Sequence, residues 1–325
     1  MAIAGYILSR LFKALLVLFA IAILNFVLIH AAPGDPAQVM AGEAGAADEL
    51  FIQQLREKFG LDQPYHVQIW RYLAGILQFD LGFSYRQEMP VAKLILDRLP
   101  ATLLLTGTAF VISIVLGVAL GALAAVRVGR WADSAITTLA LVFYATPLFW
   151  IALMAILLFS VQLDWLPAYG YETVGAHYGG VAHLLDVAQH LVLPAVTLGL
   201  FFMAVYARMT RASMLETAGQ DFVKTARAKG LADGPILRRH ILRNAILPVV
   251  TLAGLQAGQI VGGAVLTETV FAWPGIGRLM FDALLQRDYN LLLGVFLVSS
   301  ALVLAFNLIT DLVYLVVDPR ISLAK

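Results

Sequence analysis

Six long runs of apolar residues, separated by more polar loops, dominate the pattern of the chain. A bilayer core of about 30 Å needs about 20 mostly apolar residues to be crossed by a helix. The pattern therefore predicts an all-α integral membrane protein with six transmembrane helices, at 12–32, 101–125, 135–162, 191–208, 246–271 and 290–316. Thr146-Pro147 lies inside the third run and predicts a kink there.

Composition agrees with a membrane protein. Hydrophobic residues make up 61% of the chain and charged residues 13%, with a mean hydropathy of +0.84, against about 45–50% and about 25% in soluble domains. This excludes an ordinary soluble enzyme and a disordered protein. The net charge is only +1, so the chain is not expected to bind nucleic acid through a basic face. The chain has no cysteine, so disulfides, zinc-thiolate sites and thiol nucleophiles are excluded.

The placement of Lys and Arg predicts the orientation. Most of them lie before the first run, between the second and third runs, around 209–245, and at the C-terminal end. Short cytoplasmic loops carry the excess of Lys and Arg, so we expect both termini to be cytoplasmic. The first run is longer than the apolar core of a secretory signal, so it is interpreted as a span.

The predicted organisation has four parts. An N-terminal transmembrane helix (1–32) precedes a long external loop (33–100), a five-helix core (101–316) and a cytoplasmic tail (317–325). Apolar residues recur every three to four positions at 47–60, 65–79 and 91–99, so the loop is expected to form a helical cap on the outer face. The alternative is a mobile loop that binds nothing.

The segment 209–245, here called the basic hairpin, is rich in Lys and Arg. One helix is predicted from about 212 to 229, ending at Gly230. A second helix is predicted to start with Asp233 as its N-cap and Pro235 at its first position. Such a hairpin either docks a partner or lies on anionic lipid. The break between its helices favours docking, because a polybasic anchor does not need one.

Several motifs are similar to one family. Thr225–Leu231 followed by Leu242–Val249 resembles the cytoplasmic signature of ABC-importer permeases. Lys224-Thr225-Ala226 replaces the usual Glu-Ala-Ala, and the spacing from Gly230 to Pro248 is longer than usual. Both departures resemble the dipeptide/oligopeptide/nickel branch and its first, B-type permease. Further matches in order along the chain are Pro33-Gly34-Asp35-Pro36, Asp80-Leu81-Gly82-Phe83-Ser84, Leu266–Phe271, Trp273–Arg278, Arg287-Asp288-Tyr289 and Asp318-Pro319-Arg320-Ile321.

The resemblance implies a type I ABC-importer permease fold in a prokaryotic inner membrane. It implies a heterodimer with a second permease, two cytoplasmic ATPases that bind ATP and Mg, and an external binding protein that delivers peptides. The chain itself would bind no cofactor and catalyse no reaction, and it has no G-x-x-x-x-G-K-[ST] motif. Nickel, opines, glutathione and sugars are alternative cargoes. An ATP-independent secondary transporter is a weaker alternative, because paired intramembrane charges and repeated broken helices are scarce.

Two groups of site residues follow. Seated against an ATPase, the basic hairpin would use Thr225, Ala226, Arg227, Ala228, Lys229, Gly230, Arg239, Arg243, Asn244 and Pro248. Polar residues of the fifth run are candidates for a translocation path or gate, namely Gln256, Gln259, Glu268 and Thr269. For Glu268 a structural role, as an anchor of the turn that follows, is favoured over a gate. For the glutamines the alternative is a role in holding helices together.

Glycines and histidines complete the candidates. Glycines four residues apart predict close helix packing, with the partner permease as one candidate neighbour, at Gly117, Gly121, Gly254, Gly258 and Gly262. His183 and His190 would share a helix face but lie two turns apart, about 10 Å. That distance is too long for both to bind one ion, so no metal site is predicted.

Overall fold

The computed structural model describes residues 2–31, 49–59, 62–84 and 86–317. The predicted Pro33–Pro36 motif and the tail 318–325 lie outside this part. The first hundred residues contribute α1 (Ala2–Ala31), α2 (Glu49–Phe59), α3 (Tyr65–Leu77) and two short antiparallel strands, β1 (Phe83–Ser84) and β2 (Met89–Pro90). The helices that follow are α4 (Val91–Val126), α5 (Trp131–Ala145), α6 (Leu148–Ala155), α7 (Val181–Ala218), α8 (Asp221–Ala228), α9 (Asp233–Pro235), α10 (Arg243–Val270), α11 (Ile276–Leu285) and α12 (Tyr289–Val317). Two π-helical segments continue α6 and α9, namely π1 (Ile156–Gln162) and π2 (Ile236–Leu242).

Membrane-spanning character agrees with the predicted count. Within the described residues, five helices are long and apolar enough to cross a bilayer, and there are six if α5 and the α6–π1 segment form one span. Several helices are longer than their apolar runs. The stretch 91–99, predicted as a separate amphipathic segment, is the first part of α4, which passes through Pro100 without a break.

The third span differs from the expected single kinked helix. The axes of α5 and of the segment Leu148–Gln162 meet at 105°. Thr146 is extended (φ −86°, ψ 134°), and Pro147 has no N–H with which to continue the helical ladder. The residue before a proline is pushed out of the helical region, so the chain turns sharply at this point.

The described residues form two compact units. One contains the residues of 1–100 and 275–304. Its core joins the start of α4 to α11 and α12 through Val91, Ile95, Ile276, Leu291 and Val295. The side chain of Ser84 donates a hydrogen bond to Asp288, and Asn290 Nδ2 donates to the Phe83 carbonyl over 3.0 Å. These bonds attach the strand pair β1–β2 to the start of α12 and the residue before it.

The other unit contains 101–274 and the residues of 305–325 that are described. Its core forms where α4, α7 and α10 meet, around Leu105, Leu198, Tyr206 and Trp273. Small residues allow the close approach. A Cβ at Gly199 of α7 would stand 2.8 Å from the Ile112 side chain and 3.2 Å from the Ala109 carbonyl oxygen of α4. The basic hairpin belongs to this unit.

Candidate functional site: the basic hairpin and the helices that carry it

The basic hairpin has an extra break. The prediction of one helix from 212 to 229 was wrong, because α7 ends at Ala218 and α8 starts at Asp221 after an extended Gln220 (ψ 151°). The turn lets Val223 and Ala226 of α8 reach the end of α7, where both are buried with Met214. The second helix also starts differently, since Ala232 is the N-cap and Asp233 is its first residue.

The end of α8 is a Schellman motif centred on Gly230, which confirms that the helix stops there. The Leu231 N–H donates to the Ala226 carbonyl over 3.3 Å, and the Gly230 N–H donates to the Arg227 carbonyl over 2.9 Å. Gly230 has a φ of +80°. Residues with a Cβ are disfavoured in this conformation, so glycine is the residue that gives this tight link to α9.

The hairpin has an apolar and a polar side. Val223, Ala226, Ile236 and Ile241 are buried against Ala125 and Met214, so Ala226 is a packing residue. Pro248 is half-buried. The other predicted coupling residues are exposed: Thr225, Arg227, Ala228, Lys229, Gly230, Arg239, Arg243 and Asn244.

The polar groups of this outer side divide into two kinds. Thr225 and Asn244 bond to carbonyls of their own helical turns, those of Asp221 and His240. Lys224 pairs with Asp221 at 2.8 Å. Within the described residues, Arg227, Lys229, Arg239 and Arg243 make no ion pair. The outer side of the hairpin thus carries positive charge without an ion-pair partner, while its inner side is packed against α4 and α7.

A bidentate ion pair supports the hairpin from inside the unit. Arg211, two turns before the end of α7, donates to both carboxylate oxygens of Asp133 near the start of α5, at 2.6 and 2.8 Å. Asp133 also accepts from the Gly129 N–H over 3.0 Å. The sequence pattern counts Arg211 among the cytoplasmic cations and assigns no role to Asp133. No spacing rule connects two residues 78 positions apart.

Two of the predicted packing glycines lie against α7 of the same chain. A Cβ on Gly121 would stand 2.7 Å from Thr210 Cβ, and one on Gly117 would stand 3.0 Å from the Met203 carbonyl. Gly254 of α10 is in close contact with Thr310 of α12, whose hydroxyl donates to the Gly254 carbonyl over 3.1 Å. Gly258 is buried, whereas Gly262 is exposed, with no atom of the described residues near its Cβ position.

Glu268 is completely buried at the end of α10. Thr102 Oγ1 donates to Glu268 Oε1 over 2.7 Å. The backbone N–H of Trp273 donates to the Glu268 carbonyl, and its indole N–H donates to the Ala101 carbonyl, each over 2.8 Å. The side chain therefore lies in a hydrogen-bond network that joins the turn after α10 to α4, a position compatible with an anchor role.

The other path candidates are dispersed. Thr269 donates to the Val265 carbonyl of its own helix, and Gln259 is exposed. Gln256 Oε1 is buried with no partner among the described residues. A cavity of about 390 Å³ between α4, α10 and α12 is lined mainly by apolar side chains, including Phe110, Ile246, Ile260 and Phe306. The hydroxyls that border it, on Thr106 and Thr310, bond to carbonyls of the protein.

The histidines near α7 are engaged locally. His183 lies 3.1 Å from Glu172, and His190 Nδ1 lies 2.8 Å from the Asp186 carbonyl oxygen. Asp186 accepts two bonds from Thr173, both of 2.7 Å. These contacts close the loop before α7. No group of three potential metal-ligating side chains occurs within the described residues.

Comparisons with known proteins agree with this architecture. Residues 117–323 match the family described as the binding-protein-dependent transport system inner membrane component. Residues 3–106 match the N-terminal family of the same transport-system membrane components.

Curated relatives match over nearly the whole chain. The dipeptide transport system permease DppB of Escherichia coli (strain K12) is 40% identical over 337 residues, covering 98% of this chain and 99% of the relative. The oligopeptide permease AppB of Bacillus subtilis (strain 168) is 40% identical, with the same coverage. The glutathione permease GsiC of Escherichia coli O6:H1 is also 40% identical, with 98% of both chains covered.

Solved structures carry the same fold. An inward-facing structure of the MetNI methionine ABC transporter matches with a TM-score of 0.55 at 19% identity, over 69% of this chain and 96% of that one. An amino acid ABC transporter matches with a TM-score of 0.51 at 16% identity, over 68% and 92%. With the family match over more than half of its length, the chain belongs to the inner membrane permease components of binding-protein-dependent ABC import systems.

Proposed function

We propose that the chain is the B-type permease of a peptide importer and transmits the work of partner ATPases through the basic hairpin. It pairs with a second permease, and the two form the path for di- or oligopeptides delivered by an external binding protein. The ATPases bind ATP and Mg, and this chain catalyses no reaction. The relatives named for dipeptide, oligopeptide and glutathione transport support a peptide cargo.

The observation that carries the proposal is the contrast between the two sides of the hairpin. Its inner side is packed against the ends of α4 and α7, while its outer side carries Arg227, Lys229, Arg239 and Arg243. A force on the outer side is transmitted to α4 and α7, because close-packed apolar contacts have low compressibility. Transmission of this kind requires a rigid element with two positions, and α8 with its glycine-capped end provides the rigid element.

The test is to reconstitute the complete importer in lipid vesicles and to measure peptide uptake and ATP hydrolysis in parallel. Gly230→Val forces a β-branched residue into the left-handed region, which costs roughly 1–2 kcal/mol, so the link from α8 to α9 is expected to rearrange. Uptake per ATP hydrolysed should fall, with normal amounts of inserted protein. The pair Arg227→Glu and Arg243→Glu should weaken ATPase retention during purification, because charge complementarity is reversed.

Arg127→Glu combined with Arg130→Glu is the matched control, since it makes the same charge change at two exposed positions between α4 and α5, outside the hairpin. It should leave coupling near that of the unmodified chain. Unchanged uptake and ATPase retention in both hairpin variants would refute docking by the hairpin. Uptake of peptide without ATP would refute the importer mechanism itself.

A further inference from the structure

Helix α3 leaves large apolar side chains uncovered. Trp70 is 72% exposed and Leu77 is 83% exposed, while Phe79, two residues beyond the helix, is 88% exposed. Trp70 and Leu77 are seven residues apart, which is close to two full helical turns, so they share one face. Gln68 and Tyr72, which contact α1, lie on the opposite face.

The contacts with α1 give the level of α3 relative to the membrane. Gln68 Oε1 lies 3.1 Å from His30 Nε2, and the Tyr72 ring lies 5.8 Å from the ring of Phe26. The apolar window of α1 runs from Ile7 to Leu28, so these two contacts lie on either side of its end. Burial on this side raises the pKa of Tyr72 to about 12.

The segment after α3 contacts another span, α12, also near the end of its apolar window. Leu81 packs with the cluster around Leu291, and the Phe83 carbonyl accepts from Asn290. The apolar window of α12 begins at Tyr289. Helix α3 is therefore held near the boundary of the hydrocarbon region on both of its sides. An aromatic residue exposed there faces the zone that Trp and Tyr prefer.

The backbone at Phe79 adds an independent observation. The Asp80 N–H donates to the Gly75 carbonyl over 2.9 Å, and the Phe79 N–H donates to the Ile76 carbonyl over 3.1 Å. This is the motif that ends α8 at Gly230, but here the left-handed position, with φ of +59°, holds a phenylalanine. A residue with a Cβ is conformationally strained in this region, and exposure of an apolar ring to water does not compensate for the strain. Contact of the ring with an apolar phase would offset that strain.

We propose that α3 is an interfacial helix whose Trp70, Leu77 and Phe79 insert into the lipid leaflet at the C-terminal end of α1. The occupant of the face is lipid, because the neighbouring surface of α1 is also exposed and apolar up to Leu28, within the window that is apolar enough to cross a bilayer. An amphipathic helix at this depth buries its apolar face at the boundary between headgroups and acyl chains. The helix thereby links the ends of two spans along the membrane surface.

The absence of cysteine allows a direct test. Trp70→Cys, Leu77→Cys and Phe79→Cys each give this chain one labelling site for a nitroxide. The labelled chain is assembled into the importer with partner subunits whose own cysteines have been replaced, in bilayers of phosphatidylethanolamine and phosphatidylglycerol. All three positions are exposed, so the substitutions do not disturb the core. Collision rates with oxygen, which partitions into lipid, and with a water-soluble nickel chelate then report depth. Leu15→Cys on α1 is the lipid reference and Glu88→Cys, on an exposed turn, is the water reference.

The expected result is that the three labels favour oxygen over the nickel chelate, as at Leu15 and in contrast to Glu88. Equal access of the nickel chelate at all three positions and at Glu88 would overturn the proposal. Low collision rates with both reagents would also overturn it, because this indicates cover by protein. Protection that appears only when the external binding protein is added would assign the face to that protein and overturn the lipid assignment.

Discussion

Arg211 holds Asp133 with both ends of its guanidinium fork, at 2.6 Å from Nε and 2.8 Å from Nη2. The pair joins the start of α5 to the last turns of α7, which form the first part of the basic hairpin. A bidentate pair fixes relative orientation as well as distance. The two helix ends therefore move together.

The first prediction concerns this pair. Arg211→Lys keeps the charge but loses the fork, and Asp133→Asn removes the charge that the fork was holding. Both are expected to lower the melting temperature of the purified importer by several degrees. Asp133→Asn leaves the partly buried guanidinium uncompensated, and Arg211→Lys replaces the bidentate contact with that of a single point charge. Lys224→Ala, which breaks the exposed pair with Asp221, should have no measurable effect. Equal melting temperatures for all four proteins would contradict the orienting role.

The second prediction concerns the packing of α4 on α7. Gly121→Val places atoms onto Thr210 and the Ala207 carbonyl, so it is expected to cost about 1–3 kcal/mol or more and to reduce the yield of monodisperse protein. Gly107→Ala on the same helix is the control. Its Cβ would meet no atom within 4 Å in the described part of the chain, and alanine is the better helix former by about 1 kcal/mol. Size-exclusion profiles and thermal stability of the two variants make the comparison.

The third prediction separates the anchor role of Glu268 from a gate role. Thr102→Val removes a hydrogen-bond donor to the Glu268 carboxylate, and Trp273→Phe removes the indole bond to the Ala101 carbonyl. Each is expected to lower the free energy of unfolding by about 1–3 kcal/mol, while Thr102→Ser retains a hydroxyl and should be milder. Competition by peptides of different length should give the same order of preference in all three. A changed preference at normal stability would instead support a gate.

The fourth prediction uses the strained end of α3. Phe79→Gly removes the strain of a left-handed conformation, which glycine adopts freely. The amides of residues 79 and 80 donate to the carbonyls of Ile76 and Gly75, and their protection from hydrogen exchange should rise. Phe79→Ala removes the ring but keeps a Cβ, so protection should stay at or below that of the unmodified chain. Equal protection in both variants would show that the backbone at this position is not strained.

Much of the architecture could be predicted from the apolar pattern. The six runs correspond to the spanning helices, and Gly230 marks the end of α8. The pattern did not predict that the amphipathic stretch 91–99 continues into the second span as the single helix α4, because Pro100 lies between them and proline is disfavoured inside a helix. It also did not predict the break at Gly219–Gln220, since the residues on both sides favour a helix and only the burial of Val223 and Ala226 accounts for the turn.

The candidate site was predicted in part. The charge of the hairpin and the types of its exposed residues are properties of the sequence, but Ala226, predicted to take part in coupling to an ATPase, is buried. Asp133, Thr102 and Ala101 were not found, because their partners are far away along the chain. Their roles depend on which helices are neighbours, and a hydropathy pattern does not contain that information.

The sequence by itself determined the membrane class, the helical content, the family and the position of the basic hairpin, because these depend on hydropathy, local spacing and motif order. Tertiary structure alone decided which glycines meet which helix, which carboxylates are buried, and which faces of α3 and the hairpin remain uncovered. The physical reason is that local patterns act through neighbouring residues of one segment, whereas burial and ion pairing depend on the approach of segments that the chain separates.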